Sequence, residues 1–75
     1  MAQLQLRWFA GLRERRGVDA ELLEVEDGLT VGALYERLIP APRVPVRCAL
    51  NGQIVPGDAV VQDGELVFLP PVGGG

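Results

Sequence analysis

Hydrophobic residues alternate with polar ones at the start of the chain. Over residues 3–9, Leu4, Leu6 and Trp8 fall on one face, and Gln3, Gln5, Arg7 and Phe9 fall on the other. A period of two is the signature of a half-buried strand. Phe9 is the exception, an aromatic on the polar face, and has two readings. It covers a neighbouring loop, or it belongs to an apolar surface for a partner. Ala10 to Gly17 reads as a short helical turn at most, stopped by Gly17 in the position after the helix end. Its three arginines, Arg13, Arg15 and Arg16, suit a helix C-terminus in solvent. Residues 20–26 alternate again, with Leu23 and Val25 inward and Glu24 and Glu26 outward, before a turn at Asp27-Gly28.

The period then changes to that of a helix. Val31, Leu34, Tyr35 and Leu38 lie at i, i+3, i+4 and i+7, which predicts one amphipathic helix over 31–39. Thr30 is its N-cap candidate, and Ala33 stands where a capping-box Glu would complete the cap. Pro40 ends the helix, and Pro40 to Pro45 form a stiff connector. Strands follow at 46–50, with Val46, Cys48 and Leu50 on one face, and at 53–55. Asn51-Gly52 between them signals a type I′ hairpin, which needs positive φ at both central residues. Pro56-Gly57 and Asp63-Gly64 are further turns, and Ala59-Val60-Val61 is expected to cover an edge of the core. Residues 65–69 are almost wholly apolar, as a strand buried on both faces would be. Pro70 and Pro71 cannot donate ladder hydrogen bonds, so that strand ends there.

Strand, strand, helix, strand, short strand, strand is the resulting order. One main helix covers one face of a sheet. The economical arrangement is therefore α+β, a β-grasp (ubiquitin-like) fold with a mixed sheet of about five strands and the first and last strands central. The expected organisation is a single β-grasp domain over 1–69 and a flexible C-terminal tail over 70–75.

Composition narrows the function. A chain of 75 residues folds to a surface of about 4,500 Å² from about 11,700 Å² extended, burying roughly 60%. That supports a marginal core but no deep enclosed active site. There is no histidine and one cysteine, so triad chemistry, a disulfide framework and the common zinc spacings are excluded. No metal site and no bound cofactor are expected. Cys48, on the inward face of a strand, reads as a small hydrophobe. A net charge of −3 argues against nucleic acid, and the absence of signal-like or spanning segments argues against a membrane, so a cytoplasmic location is expected. All seven basic residues are arginine, so no side-chain amine here can accept an isopeptide bond.

That leaves the terminal stretch Pro70-Pro71-Val72-Gly73-Gly74-Gly75. Two prolines favour a stiff exit, and glycines without Cβ atoms make a thin tip carrying an α-carboxylate. Nothing else in the chain is suited to covalent chemistry, which makes Gly75 the candidate functional end.

Three stretches carry a family resemblance: Trp8-Phe9-Ala10-Gly11-Leu12-Arg13-Glu14, the turn pair Asn51-Gly52 and Asp63-Gly64, and the terminal Pro70 to Gly75. Together they resemble the small, sulfur-carrying subunit of molybdopterin synthase, over essentially the whole chain. The spacing departs from that pattern in two places. Five residues separate Gly64 from Pro70 where the family commonly has six, and the segment between Leu38 and Val46 is short.

The resemblance implies that an adenylating and sulfurating enzyme activates the Gly75 carboxylate with ATP and converts it to a thiocarboxylate. It also implies that this group enters a large catalytic subunit, within a heterotetramer, and donates sulfur to cyclic pyranopterin monophosphate. Gly73 and Gly74 would be the threading arm, and Phe9, Pro70, Pro71 and Val72 the docking surface. The alternatives are a carrier for thiamine or cysteine synthesis, a ubiquitin-like protein modifier, or a non-catalytic interaction domain.

Overall fold

The computed structural model describes residues 1–70; the predicted tail positions Pro71, Val72, Gly73, Gly74 and Gly75 lie outside the described residues. The elements in chain order are β1 (Ala2–Arg7), α1 (Ala10–Arg16), β2 (Ala20–Val25), α2 (Val31–Leu38), β3 (Arg47–Leu50), β4 (Gln53–Val55) and β5 (Gly64–Leu69). One mixed sheet runs in the order β2-β1-β5-β3-β4. β1 and β5 pair in parallel, Leu4 opposite Gly64 to Arg7 opposite Val67, and every other pairing is antiparallel. The first and last strands are thus central, as the element order predicts.

The alternation of β1 sends Ala2, Leu4 and Leu6 into a core shared with Leu66 and Phe68 of β5 and Cys48 and Leu50 of β3. α2 presses Val31, Leu34 and Tyr35 onto the same side. Burying a side chain of this size is worth about 1.5–3 kcal/mol, so these positions outweigh every surface contact in the molecule. α2 ends at Leu38, and Ile39 is extended at φ −117° and ψ 100°. A residue before proline is barred sterically from helical φ/ψ, which accounts for the end.

Two expectations need correction. Ala10–Arg16 is a seven-residue helix, not a turn at most. Leu12 anchors it by entering the core, and Gly17 ends it in the left-handed conformation at φ 79°. β5 is not buried on both faces. Leu66 and Phe68 are fully buried, whereas Val67 and Leu69 keep partial exposure. An apolar run cannot reveal that its outer face has no covering layer.

The loops are tied down by backbone groups. Thr30 Oγ1 accepts from Ala33 N (3.1 Å), as predicted. Val31 N donates to Ala59 O and Gly32 N to Gly57 O, both at 2.9 Å. Three free amides at the start of α2 are thereby satisfied, and the 56–61 segment is strapped to the helix. In the β3–β4 hairpin, Asn51 and Gly52 both have positive φ, 51° and 83°. Asn51 also reaches across to the start of β5. Its Oδ1 accepts from Glu65 N (2.9 Å) and its Nδ2 donates to Asp63 O (3.1 Å).

That clasp leaves no room at Gly64. A Cβ there would lie 1.9 Å from Asn51 Oδ1, on a residue at φ 132°. Replacing Gly64 with Ala forces both the backbone and the Asn51 side chain to move. Strained φ costs about 1–3 kcal/mol and a lost hydrogen bond about 1 kcal/mol. Gly64→Ala should therefore lower the urea unfolding free energy by about 2–4 kcal/mol. A loss no greater than that of an ordinary surface substitution would show that the clasp does not constrain the strand.

Candidate functional site

Because β1 and β5 are parallel neighbours, their C-terminal ends leave the sheet together. The antiparallel pairing of Arg47 with Leu69 brings the start of β3 to the same end. Pro70, the root of the predicted tail, therefore emerges beside the β1–α1 junction and the 40–46 connector.

Phe9 marks that junction. It is extended, at φ −130° and ψ 154°, so the strand alternation continues past β1. Trp8 goes into the core at 2% exposure, and Phe9 turns to the other side with 46% of its surface exposed. Ala10 then takes a positive φ of 50°, and the chain reverses into α1. Phe9 thus lies at the surface, outside the core. Among the predicted docking residues, Phe9 and Pro70 are brought to one end of the molecule.

The junction is held from beneath. Trp8 stacks on Phe68 with ring centroids 5.3 Å apart, and Phe68 meets Tyr35 at 5.1 Å. Trp8 Nε1–H donates to Glu21 Oε2 (2.7 Å). Arg16 donates to both oxygens of Glu21, Nε to Oε2 at 2.9 Å and Nη2 to Oε1 at 2.7 Å, and its guanidinium lies 5.8 Å from the Trp8 ring centre. These bonds hold the Glu21 carboxyl below its ordinary range and push Arg16 up.

The other two arginines of α1 are also engaged. Arg13 approaches Asp19 at 3.5 Å. Arg15 donates to Pro42 O, and to Pro40 O at 2.7 Å. Arg13 and Arg15 are exposed, as the solvated reading expects, while Arg15 and Arg16 also hold neighbouring segments by hydrogen bonds. On the connector, Tyr35 O–H donates to Val44 O (2.6 Å) and Arg43 to Ile39 O (3.3 Å). A groove of about 520 Å³ remains between α1, the connector and Pro70.

The uncovered sheet face continues from this end. Register places Arg7, Val67, Ala49 and Ile54 in one row across four strands, and Arg47 beside Leu69 in the next. Ile54 is 56% exposed, and Leu22 projects from the far edge of the same face. The sequence reasoning missed Val67, Leu69, Ala49 and Ile54 as surface residues. The available signal was the alternation Glu65, Val67, Leu69 opposite Leu66 and Phe68, together with helices on one side only.

Cys48 is 4% exposed, and burial pushes its thiol above the ordinary range, so it packs as predicted. Among the described residues, no three Cys, Asp or Glu side chains gather as a metal-binding group. No helix among them is long and apolar enough to cross a membrane.

Comparison with known proteins agrees with this architecture. The model of the ThiS family matches residues 6–75. A Pyrococcus furiosus protein assigned as molybdopterin converting factor subunit 1 superposes with a TM-score of 0.82 at 28% identity, covering 96% of this chain and 100% of that one. Haloferax volcanii small archaeal modifier protein 1 gives 0.79 at 25% identity, with 96% and 100% covered. The Haloferax volcanii HVO 2177 protein gives 0.72 at 32% identity, with 99% and 87% covered. The fold is the β-grasp, ubiquitin-like one.

The Glu21 cluster makes stability depend on pH. A carboxyl whose folded pKa is depressed stabilises the fold above its unfolded pKa, and that stabilisation is lost as pH falls through the folded value. Glu21→Gln should cost about 1–3 kcal/mol at pH 7, the scale of hydrogen bonds to a charged group. The difference from the parent should shrink as pH falls below 4.5, the ordinary value for this carboxyl. Thermal melts of both proteins between pH 7 and pH 3 would check this. A gap independent of pH would mean that packing, not charge, holds the junction.

Proposed function

The chain belongs to the ThiS family, and we propose that within it this protein is the sulfur-carrying small subunit of a molybdopterin synthase. The observation that carries the reading is the exit of the chain at Pro70. It leaves a rigid sheet end beside exposed Phe9 and the uncovered face of β5, β3 and β4. The residues that follow it are one proline, one valine and three glycines. Similarity to the Pyrococcus furiosus protein and the Trp8 to Glu14 stretch favour the molybdopterin assignment.

The chemistry assigned to Gly75 follows from its carboxylate. A carboxylate is a poor electrophile. Attack of its oxygen on the α-phosphorus of ATP, in an adenylating enzyme, releases pyrophosphate and leaves an acyl-adenylate. A sulfur nucleophile then displaces AMP at the acyl carbon, and the product is a thiocarboxylate. Carried into the large subunit, that sulfur bonds to a carbon of cyclic pyranopterin monophosphate as an oxygen group leaves that carbon; water then cleaves the resulting thioester, returning the Gly75 carboxylate, and two such deliveries build the dithiolene. Gly73 and Gly74 would pass a channel that any Cβ obstructs, and Pro70 and Pro71 limit the entropy lost on threading. This protein binds no cofactor in the reading, since ATP is used by the adenylating partner.

A second reading, a protein modifier joined through the same carboxylate to lysines of targets, is favoured by the likeness to small archaeal modifier protein 1. The two part at the product. With a cognate adenylating enzyme, ATP and a sulfur source, the carrier gains mass equal to one oxygen-to-sulfur exchange at Gly75. The modifier instead yields isopeptide adducts on target lysines.

Removing Gly75, or adding one residue after it, should abolish the mass gain and leave the melting temperature unchanged. Full activity in either variant would remove Gly75 from the chemistry. Phe9→Asp and Ile54→Asp should each weaken binding to the large subunit by tenfold or more, about 1.4 kcal/mol. Their effect on stability should stay near the ±0.5 kcal/mol of ordinary surface changes. Titration calorimetry beside urea melts separates the two effects, and a stability loss exceeding the binding loss would assign these side chains to packing.

A further inference from the structure

We propose that β2 is an interaction edge whose occupant is the β2 strand of a second copy, antiparallel about a two-fold axis at Leu22. Trp8 N donates to Asp19 O (2.8 Å), and the register then sets Leu6 opposite Glu21 and Leu4 opposite Leu23. In an antiparallel ladder, main-chain groups point alternately to the two sides. Those of Glu21 and Leu23 therefore face β1, and those of Ala20, Leu22 and Glu24 face outward. Among the described residues, no strand pairs with that side of β2.

The two edges of the sheet are not alike. β4 is three residues long and runs directly into Pro56, which blunts it as a template. β2 is six residues long and carries no proline, lysine or bulge. At its centre stands Leu22, 76% exposed, the most exposed large hydrophobic side chain among the described residues.

Charge selects the register. With the axis at Leu22, each Leu22 lies opposite its copy. Ala20 then lies opposite the second copy's Glu24, and Glu21 opposite the second copy's Leu23, so no carboxylate faces another. An axis at Glu21 or Glu24 sets like charges opposite each other, which destabilises a sheet. An axis at Leu23 separates the two leucines. Glu21 stays bonded to Arg16 and Trp8, and brings no unpaired charge to the edge.

One row on the uncovered face then reads Arg7, Ala20 and the second copy's Glu24. Two strand spacings separate the outer pair by about 10 Å, a gap that the long arginine spans over the small Ala20 methyl. Its present contact with Glu65 is a loose 3.7 Å on a side chain 60% exposed, and exchanging one exposed ion pair for another costs little. The two-fold axis makes the new pair twice. Within one chain, Arg7 and Glu24 stand about 14 Å apart, with Gln5 and Leu22 between them.

A six-residue ladder buries less than the roughly 1,600 Å² of a standard interface, so the dimer is weak and reversible. The edge lies across the sheet from β3 and β4. It takes no part in the sulfur chemistry proposed above, so either inference can fail alone.

Sedimentation of the full chain from micromolar to millimolar concentration tests the edge, with amide NMR over the same range. The mean mass should rise from that of one chain toward that of two, and the amide signals of Ala20, Leu22 and Glu24 should move with concentration. Leu22→Arg should weaken association by roughly tenfold or more and leave the melting temperature close to the parent's. Arg7→Glu should weaken it as well, and adding Glu24→Arg should recover what Arg7→Glu loses. The proposal is overturned if the chain stays monomeric at millimolar concentration, or if Leu22→Arg associates like the parent. Concentration-dependent shifts confined to β4 or Phe9 overturn it too, since they mark another surface. An Arg7→Glu variant that associates undiminished, or a charge exchange that restores nothing, overturns the register about Leu22 and the proposal with it.

Discussion

The parallel pairing of β1 with β5 is the constraint on which the rest of the molecule depends. It places the first and last strands at the centre of the sheet and closes the core between Leu4, Leu6, Leu66 and Phe68. Parallel neighbours also end on the same side. The β1–α1 junction and the root of the tail therefore occupy one end of the molecule, although more than fifty residues separate them in sequence. Were the two strands antiparallel, Phe9 and Pro70 would sit at opposite ends. The Asn51 clasp on Asp63 and Glu65 supports this pairing by fixing where β5 begins.

The second constraint is one-sided covering. Both helices send their apolar residues into the same core, so the sheet has one dry face and one face that meets solvent. On the dry face sits the Trp8, Phe68 and Tyr35 stack. The wet face carries Val67, Ala49 and Ile54 in one row with Arg7 at its end, and Leu69 with Arg47 beside it. Arg7 at the end of that row approaches Glu65 at 3.7 Å, so the apolar strip is bordered there by an exposed ion pair.

Arginine does much of the fastening at the tail end. Arg16 grips Glu21 beneath Trp8, Arg15 holds two connector carbonyls, and Arg43 holds a third. A planar guanidinium with several donors can bridge main-chain carbonyls or take a carboxylate in two bonds, which a lysine ammonium cannot do with the same geometry. These tethers stiffen the platform from which the last residues depart. None of them offers a reacting atom, and the buried Cys48 thiol does not either.

By itself, the sequence determined the order of the five strands and the main helix, the inward residues of β1, β2, β3 and α2, the Thr30 cap and the Asn51-Gly52 hairpin. Each of these rests on local rules, a period of two or of 3.6 and the φ values a turn demands, and those are written in neighbouring residues. The Trp8 to Glu14 stretch and the terminal hexapeptide were legible as motifs in the same way. Only the tertiary structure decided that Ala10–Arg16 is a full helix, because Leu12 gains its stability from a core built by distant strands. The same holds for the exposed side of β5, since an apolar residue reads alike whether a layer covers it or not. The groove at Pro70 is likewise a product of packing. Its walls come from α1, the connector and the end of β5, and no local pattern records that three such segments meet.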